Sequence, residues 1–214
     1  MRNFFVFVFL TVVWSSFSQK KVLEKFTSNL KQITILTEGL DDFVLENSNT
    51  DFIEVTLFAQ NSNEQHIIVT KNKNDIEIAF KLDEIIEKEI IFRKFITERL
   101  QRANAIIKVP KGKKVFIFGN NVDVESKDFK NELEIYIENG LVKLNEIKAN
   151  AVLKLYSGNV FATTKDTDVF VVSKNGSIQI DSVLYAQKYE KKEASNTKRI
   201  AINSLRANIF LTTQ

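Results

Sequence analysis

The sequence contains no cysteine, one proline, one histidine and six glycines among 214 residues. The lack of cysteine excludes disulfide bonds, thiolate catalysis and cysteine-ligated metal sites. So few prolines and glycines exclude a Pro/Gly-rich linker protein. The 30 basic and 27 acidic side chains are spread along the chain, so no clustered basic face indicates a nucleic-acid partner. The abundant Val, Ile, Phe and Thr, with Asn and Asp at the breaks, are typical of a folded β protein.

Residues 1–18 have the pattern of a secretory signal peptide. Arg2 supplies a positive charge, Phe4 to Val13 form an almost unbroken apolar run, and Ser16 and Ser18 are small residues at a cleavage site. The apolar run is shorter than the roughly 20 residues that a transmembrane helix needs. We therefore expect cleavage after Ser18, export to the periplasm, extracellular space or cell surface, and no stable transmembrane segment after cleavage. An uncleaved anchor is the alternative.

Short alternating segments dominate the first half of the remaining chain. Residues 19–29 are polar, and we expect them to be a flexible lead-in. Between residues 30 and 109, apolar residues recur at every second position, as in Ile76, Ile78 and Phe80. Period-2 alternation interrupted by polar clusters predicts strands. We interpret these strands as a β meander that caps the N-terminal end of the domain.

A charged excursion at residues 83–102 interrupts this alternation. It lacks Gly and Pro, and it places Ile86, Ile90 and Ile96 at roughly helical spacing. One possible short helix and a mobile excursion are both compatible with this pattern. The following segment returns to strand-like alternation up to Val109.

From Val115 onward the sequence repeats with a period of 18 residues, and such repeats decide the fold. Two aliphatic columns and one glycine column recur at this step: Ile117, Ile135, Leu153 and Val171; Val124, Val142, Val160 and Ile178; and Gly140, Gly158 and Gly176. The two aliphatic columns are always seven residues apart, and the same pair recurs at Ile202 and Ile209. The longer last step predicts an insertion near residues 185–198.

A constant step predicts coils, because hairpins need no constant period between alternate strands. In a parallel β-solenoid each residue lies above its equivalent, about 4.8 Å away, and pairs with the next rung. Glycine at each corner allows the positive φ of a tight bend. We therefore predict an all-β protein whose residues 110–214 form a parallel β-solenoid of about 18-residue coils. An antiparallel sandwich is the alternative.

The repeat resembles a known group of domains. The segment Val109-Pro110-Lys111-Gly112, the pair Val115 and Ile117, and the repeated Gly-x-aliphatic-x-aliphatic units resemble the adhesin-like β-strand-repeat domains of exported bacterial proteins. The resemblance covers about residues 30 to 214, and the signal ending also resembles those common in Bacteroidetes. It implies a β-solenoid of unknown function without established catalytic residues. The sequence departs from the pattern at Val122 and Ala207, which occupy the glycine positions of the first and last coils.

No motif indicates catalysis, a metal site or a cofactor. His66 is the only histidine, and without a second histidine or a thiolate we interpret it as a strand-surface residue. The tightest acidic pairs are Asp41 with Asp42 and Asp166 with Asp168. Paired carboxylates can bind calcium or hydrolyse glycosides, but Asp is also ordinary turn chemistry. We predict no catalytic residue and no metal ligand.

An aromatic strip is the remaining candidate for a binding surface. Phe116, Phe118, Tyr136 and Phe170 alternate with the core columns and should lie on the outer face. Exposed apolar patches often mark binding surfaces. We favour the simpler interpretation that the N-terminal strands pack over this strip.

These observations favour an exported, non-enzymatic protein with an adhesin-like, cell-envelope binding or scaffolding role. Its expected partner is an envelope or surface protein or glycan, and we expect no nucleic-acid partner and no cofactor. A carbohydrate-binding or carbohydrate-active β-helix protein is the first alternative. A periplasmic partner of an envelope regulator is the second.

Overall fold

The computed structural model describes residues 20–59, 66–82 and 103–214. Within these ranges the chain consists of strands and their connections, with no helix. The all-β class is therefore confirmed. The predicted signal peptide at residues 1–18 and the charged excursion at residues 83–102 lie outside the described residues, and so does the helix suggested for that excursion.

The strands are numbered in chain order. The N-terminal ones are β1 (Lys20–Thr27), β2 (Gln32–Leu36), β3 (Asp42–Asn47), β4 (Phe52–Ala59), β5 (His66–Lys71), β6 (Asp75–Lys81) and β7 (Asn104–Val109). They are followed by β8 (Lys114–Asn121), β9 (Asp123–Ser126), β10 (Glu132–Asn139), β11 (Leu141–Leu144), β12 (Ala151–Leu155) and β13 (Asn159–Thr164). The last ones are β14 (Thr167–Ser173), β15 (Ile178–Ile180), β16 (Val183–Tyr185), β17 (Lys188–Lys191), β18 (Lys198–Ser204) and β19 (Asn208–Thr213).

The strands form two mixed sheets whose inward faces share one hydrophobic core. The ten-stranded sheet has the order β1-β4-β7-β3-β9-β11-β13-β19-β15-β16, and the nine-stranded sheet has the order β17-β14-β18-β12-β10-β8-β2-β6-β5. Their central strands pair in parallel, and their edge strands pair antiparallel. Because the sheets are mixed and open, they show an all-β fold of two sheets and do not by themselves show a parallel β-solenoid.

Successive strands of each repeat belong to different sheets. β10 lies in the nine-stranded sheet and β11 in the ten-stranded one. The segment Asn139-Gly140 therefore carries the chain from one sheet to the other and is not the tip of a hairpin. Alternation of apolar and polar residues buries one face of the strands that contribute to the core, as in the burial of Leu133, Ile135 and Ile137.

The repeat columns are stacked in register over the first three coils. Ile117 pairs with Ile135, and Ile135 pairs with Leu153, on adjacent parallel strands. The second aliphatic column pairs in the same way from Val124 to Val160. All eight column residues are buried, with at most 2% of their surface exposed. Matched aliphatic side chains therefore fill the space between the sheets rung by rung.

The order of the last two coils differs from the prediction. Leu153 pairs with Ile202, which in turn pairs with Val171. The coil formed by β18 and β19 therefore lies between two others, the coil of β12 with β13 and the coil of β14 with β15. The predicted stacking of Val171 directly on Leu153 is wrong. The predicted insertion explains the reversal, because β17 and β16 occupy the outer edges of β14 and β15.

The predicted N-terminal meander is also wrong. β2 pairs in parallel with β6 on one side and β8 on the other, and β3 does the same with β7 and β9. Residues 32–47 therefore form the same two-strand unit as the later repeats. Alternation identifies a strand but not its partner, and this half of the chain has no constant spacing that would reveal the pairing.

Residues 19–29 were predicted to be a flexible lead-in, but most of them form the edge strand β1. β1 pairs antiparallel with β4, and Val22 and Phe26 pack against the core. Lys25 of this strand forms an ion pair with Glu54 at 2.6 Å. Charged edge strands discourage pairing with further chains. At the opposite end, β17 has the same character because Lys188 and Lys191 lie along it.

Candidate functional site

The predicted glycine corners form a column of close backbone contacts. A Cβ atom on Gly158, whose φ is +119°, would lie 2.1 Å from the carbonyl oxygen of Gly140. Gly176 needs no positive φ, but a Cβ there would lie 2.0 Å from the carbonyl oxygen of Ala207. Val122 and Ala207 stand in the same column and are fully buried. The corners are therefore structural, and tight stacking rather than φ alone requires glycine.

A ladder of polar side chains runs beside this column. Asn139 Nδ2 donates a hydrogen bond to Asn121 Oδ1 at 3.4 Å, and Ser157 Oγ donates one to Asn139 Oδ1 at 3.1 Å. Each link joins residues 18 positions apart. Partly buried polar groups need such partners, so this ladder supports the corner.

One residue of the predicted acidic pairs, Asp168, has a structural role. Asp168 Oδ1 accepts hydrogen bonds from Asn196 Nδ2 at 2.9 Å and from the Glu193 amide at 3.1 Å, which holds the inserted segment in place. These bonds lower the pKa of Asp168. Burial, followed by the charge of Asp41, raises the pKa of Asp42. No group of three acidic, histidine or cysteine side chains in the described part of the chain can hold a metal ion.

His66 begins the edge strand β5, where its backbone pairs with that of Lys81 in β6. This position is at the end of the nine-stranded sheet. Its place on a strand agrees with that part of the sequence interpretation.

The outer face of the nine-stranded sheet carries an open groove of about 510 Å³. It lies where β10, β12 and β18 approach their C-terminal ends. We call it the aromatic groove and define it by six of its lining residues, Tyr136, Glu138, Lys154, Tyr156, Lys174 and Asn203. The register places three of these side by side, because Tyr136 pairs with Lys154 and Lys154 with Asn203.

The aromatic strip predicted from the sequence borders this groove. Phe118 and Tyr136 are stacked with ring centroids 5.2 Å apart, and 40% of Phe118 is exposed. The favoured interpretation, that N-terminal strands cover the strip, is wrong because β2 lies beside β8 in the same sheet. Phe116 and Phe170 lie on the same outer face, each close to a lysine ammonium. The strip therefore consists of two neighbouring rows, one with Phe118 and Tyr136 and the other with Phe116 and Phe170. Lysine ammonium groups lie over three of these rings.

Two cations lie over the rings of the groove. Lys154 Nζ is 5.2 Å from the ring centroid of Tyr136, and the guanidinium carbon of Arg206 is 5.7 Å from that of Tyr156. Such contacts contribute about 0.5–1 kcal/mol at exposed sites. They also hold the ammonium of Lys154 in the groove and the guanidinium of Arg206 beside it, where a ligand would meet them. Tyr156 is 49% exposed.

Glu134 fixes the position of Tyr136 from the neighbouring row. The Tyr136 hydroxyl donates a hydrogen bond to the Glu134 carboxylate, and Lys114 Nζ forms an ion pair with the same carboxylate at 2.6 Å. Partial burial acts against ionisation, but the bonds from Lys114 and Tyr136 lower the pKa of Glu134 overall. The hydrogen bond to Glu134 raises the pKa of Tyr136. The tyrosine is therefore held neutral and oriented.

Sequence reasoning missed most of the groove. Phe118, Tyr136 and Lys154 are each 18 residues apart, so the repeat could have placed them in one row. Asn203 joins this row only because β18 lies next to β12. That pairing has no signal in the 18-residue period.

Comparison with known proteins supports the fold. No protein-family model matches the chain, and no curated protein matches it. The chain is similar to the crystal structure of a candidate cell adhesion protein from Clostridium sporogenes, with a TM-score of 0.64 and 14% identity over 92% of this chain and all of that one (100%). We conclude that these two chains share a fold.

Weaker similarities to solved structures involve proteins of the same description. The alignment with a candidate adhesin from Bacteroides fragilis spans 92% of this chain and 98% of that chain, at 10% identity and a TM-score of 0.32. One from Parabacteroides distasonis has 13% identity and a TM-score of 0.29, over 92% of this chain and 98% of that one. Across residues 20–59, 66–82 and 103–214, no helix has the length and hydropathy needed to cross a membrane.

Proposed function

We propose that the protein is an exported, non-enzymatic, adhesin-like module that binds a component of a cell envelope or cell surface through the aromatic groove. The observation that carries the proposal is the groove itself. It is an open site of about 510 Å³ in which Tyr156 and the cations of Lys154 and Lys174 are accessible. Accessible aromatic and cationic groups together are typical of binding surfaces. The fold shared with a protein described as a cell adhesion protein supports the same role.

A short β-solenoid is the scaffold that we propose for this surface. Seven pairs of strands, each with one strand in either sheet, support this interpretation: β2 with β3, β6 with β7, β8 with β9, β10 with β11, β12 with β13, β14 with β15, and β18 with β19. Within each sheet the strands of these pairs lie parallel to one another. Stacked strands of this kind present their outward side chains in regular rows, which suits an extended ligand.

A binding role without catalysis is supported by the acids of the groove. Among its described lining residues, Glu138 is the one carboxylate. Glycoside hydrolysis uses two carboxyl groups about 5–9.5 Å apart. The neighbouring Glu134 is engaged by Lys114 and Tyr136. The carbohydrate-active alternative would need a second carboxylate in the groove, whereas carbohydrate binding would not.

Export can be tested by fractionating cells that produce the full chain. We expect the protein outside the cytoplasm, with a mass that corresponds to cleavage after Ser18. A full-length protein that stays in the cytoplasm would contradict the export part of the proposal, and a membrane-bound full-length protein would favour the uncleaved anchor.

Binding can be tested with purified protein on immobilised bacterial envelope fragments and on mucin. We expect the double variant Tyr156→Ala/Lys154→Ala to lose at least about tenfold in affinity, which corresponds to about 1.4 kcal/mol. The control is Phe161→Ala, which removes an exposed ring that stacks on Phe210 on the outer face of the other sheet. If the groove variant binds both materials as well as the control does, the groove is not the binding surface.

A further inference from the structure

The charges of the aromatic groove identify the chemistry of its ligand more closely, on the basis of the proposed function. Lys154 and Lys174 line the groove, Arg206 lies over Tyr156 beside it, and Glu138 is the acid among the described lining residues. The groove and its border therefore carry three cations and one carboxylate. An anionic ligand complements this distribution.

The cations of the groove differ from other cations on the same face. Lys114 is paired with Glu134 at 2.6 Å and Lys188 with Glu190 at 2.8 Å. In contrast, no described carboxylate lies within ion-pair distance of Lys154, Lys174 or Arg206. These three cations are therefore not in close ion pairs within the described part of the chain, whereas Lys114 and Lys188 are. The charge of Glu134 still acts on Lys154 at longer range.

The aromatic rings add to this preference. The Phe118 and Tyr136 rings stack on each other, and Lys154 lies over Tyr136. Their faces are therefore engaged by each other and by Lys154, so a ligand would contact the edges of these rings. The edge of an aromatic ring carries partial positive charge, which suits the oxygens of a ligand. Tyr156 adds an exposed ring on which an apolar sugar face can rest.

The polar groups of the groove favour a carbohydrate over a nucleic acid. Asn203 offers both a donor and an acceptor, and Glu138 offers acceptors, so the groove can bind hydroxyl groups as well as a carboxylate. The backbone of DNA, which lacks the 2′-hydroxyl, offers no such hydroxyl groups. We propose that the aromatic groove binds an acidic carbohydrate, a polymer of uronic acid type, with its carboxylates toward Lys154 and Lys174 and a sugar ring against Tyr156.

A matched pair of polymers tests this proposal. Polygalacturonate and its fully methyl-esterified form have the same backbone but differ in charge. By calorimetry at low salt, we expect the acidic polymer to bind at least about fivefold more tightly than the ester, and this advantage to shrink as salt screens the charges. We expect Lys154→Gln and Lys174→Gln each to weaken binding of the acidic polymer by up to about fivefold. The control Lys188→Gln, at a lysine paired with Glu190, should change little.

The possible results separate this proposal from the proposed function. Equal affinity for the two polymers, or unchanged binding by the lysine variants, would overturn the acidic ligand. Tighter binding of single-stranded oligothymidylate than of polygalacturonate would overturn the carbohydrate. If neither polymer binds while the groove variant still loses envelope binding, the ligand assignment fails and the adhesive function stands. If the groove variant keeps envelope binding, the proposed function itself fails.

Discussion

Ile202 lies between Leu153 and Val171 in the nine-stranded sheet and pairs in parallel with both. Its side chain is fully buried. The last two strands of the chain, β18 and β19, are therefore interior members of their sheets, whereas β14 and β15 lie toward the edge. The first two predictions depend on this relationship.

Truncating Ile202 should destabilise the whole C-terminal half. We expect Ile202→Ala to lower the free energy of unfolding by about 2–5 kcal/mol, because it leaves a cavity between two packed coils. The control Asn203→Ala, at an exposed neighbour on the same strand, should stay within about 0.5 kcal/mol. Urea unfolding followed by circular dichroism measures both. Equal effects of the two substitutions would contradict the interior position of β18.

Removing residues 198–214 should detach more than the removed strands. β14 and β15 then lose the parallel partners that join them to β12 and β13. We expect amide hydrogen exchange in residues 167–180 to become fast, while residues 104–126 stay protected. Protection of residues 167–180 in the shortened chain would mean that these strands can pair directly with β12 and β13.

A methyl group at Gly158 should be costly. Gly158→Ala places Cβ 2.1 Å from the Gly140 carbonyl oxygen at a φ of +119°. We expect a loss of at least about 2 kcal/mol of stability, since strained backbone alone costs about 1–3 kcal/mol. The control is Gly112→Ala, where φ is +81° but nothing lies within 4 Å of the added Cβ. That variant should lose only about 1–2 kcal/mol. Thermal unfolding compares the two, and equal losses would show that stacking at the corner is not what requires glycine.

The Glu134 carboxylate should contribute stability that depends on pH. Although burial opposes ionisation, bonds from Lys114 and Tyr136 lower its pKa from the ordinary value of 4.5. A lowered pKa in the folded state stabilises the protein above pH 4.5, and this contribution disappears as the pH falls through the folded-state value. We expect Glu134→Gln to lower the melting temperature at pH 7 and to have a smaller effect at pH 3.

The control for this experiment is Glu132→Gln, which changes an exposed residue two positions earlier on the same strand. It should shift the melting temperature less at pH 7. An effect of Glu134→Gln that is the same at pH 3 and pH 7 would contradict a stabilising role of the charge.

The sequence allowed the repeat to be predicted, but not its order in space. Ile117, Ile135 and Leu153 must match in size because each lies against the next, and that requirement appears as a period. A period identifies residues as equivalent, but it does not determine which of the equivalent residues are in contact. Ile202 is equivalent to both Val171 and Leu153, so its place between them depends on how residues 183–191 cover the outer edge.

The candidate site was harder to predict for the same reason. Phe118 and Tyr136 were identified as outward-facing aromatic residues by alternation. Whether they were covered depended on the path of β2, which pairs in parallel with β8. The paired residues, such as Ile35 and Ile117, are 82 positions apart. No local pattern encodes a contact across that separation. In the sequence, the lysines of the groove look like ordinary surface residues. They become candidates for ligand binding only because the fold places them next to the aromatic rings.

The interior position of β19 has a mechanical consequence. A pull transmitted through residues 208–213 acts on a strand that is hydrogen-bonded on both sides, to β13 and to β15. A pull transmitted through residues 20–27 acts on β1, which has β4 as its neighbour at the edge of the described sheet. Tension on the C-terminal strand must therefore shear two ladders at once, whereas tension on the N-terminal strand loads one. An adhesive module of this design would resist force most strongly when held by its last strand.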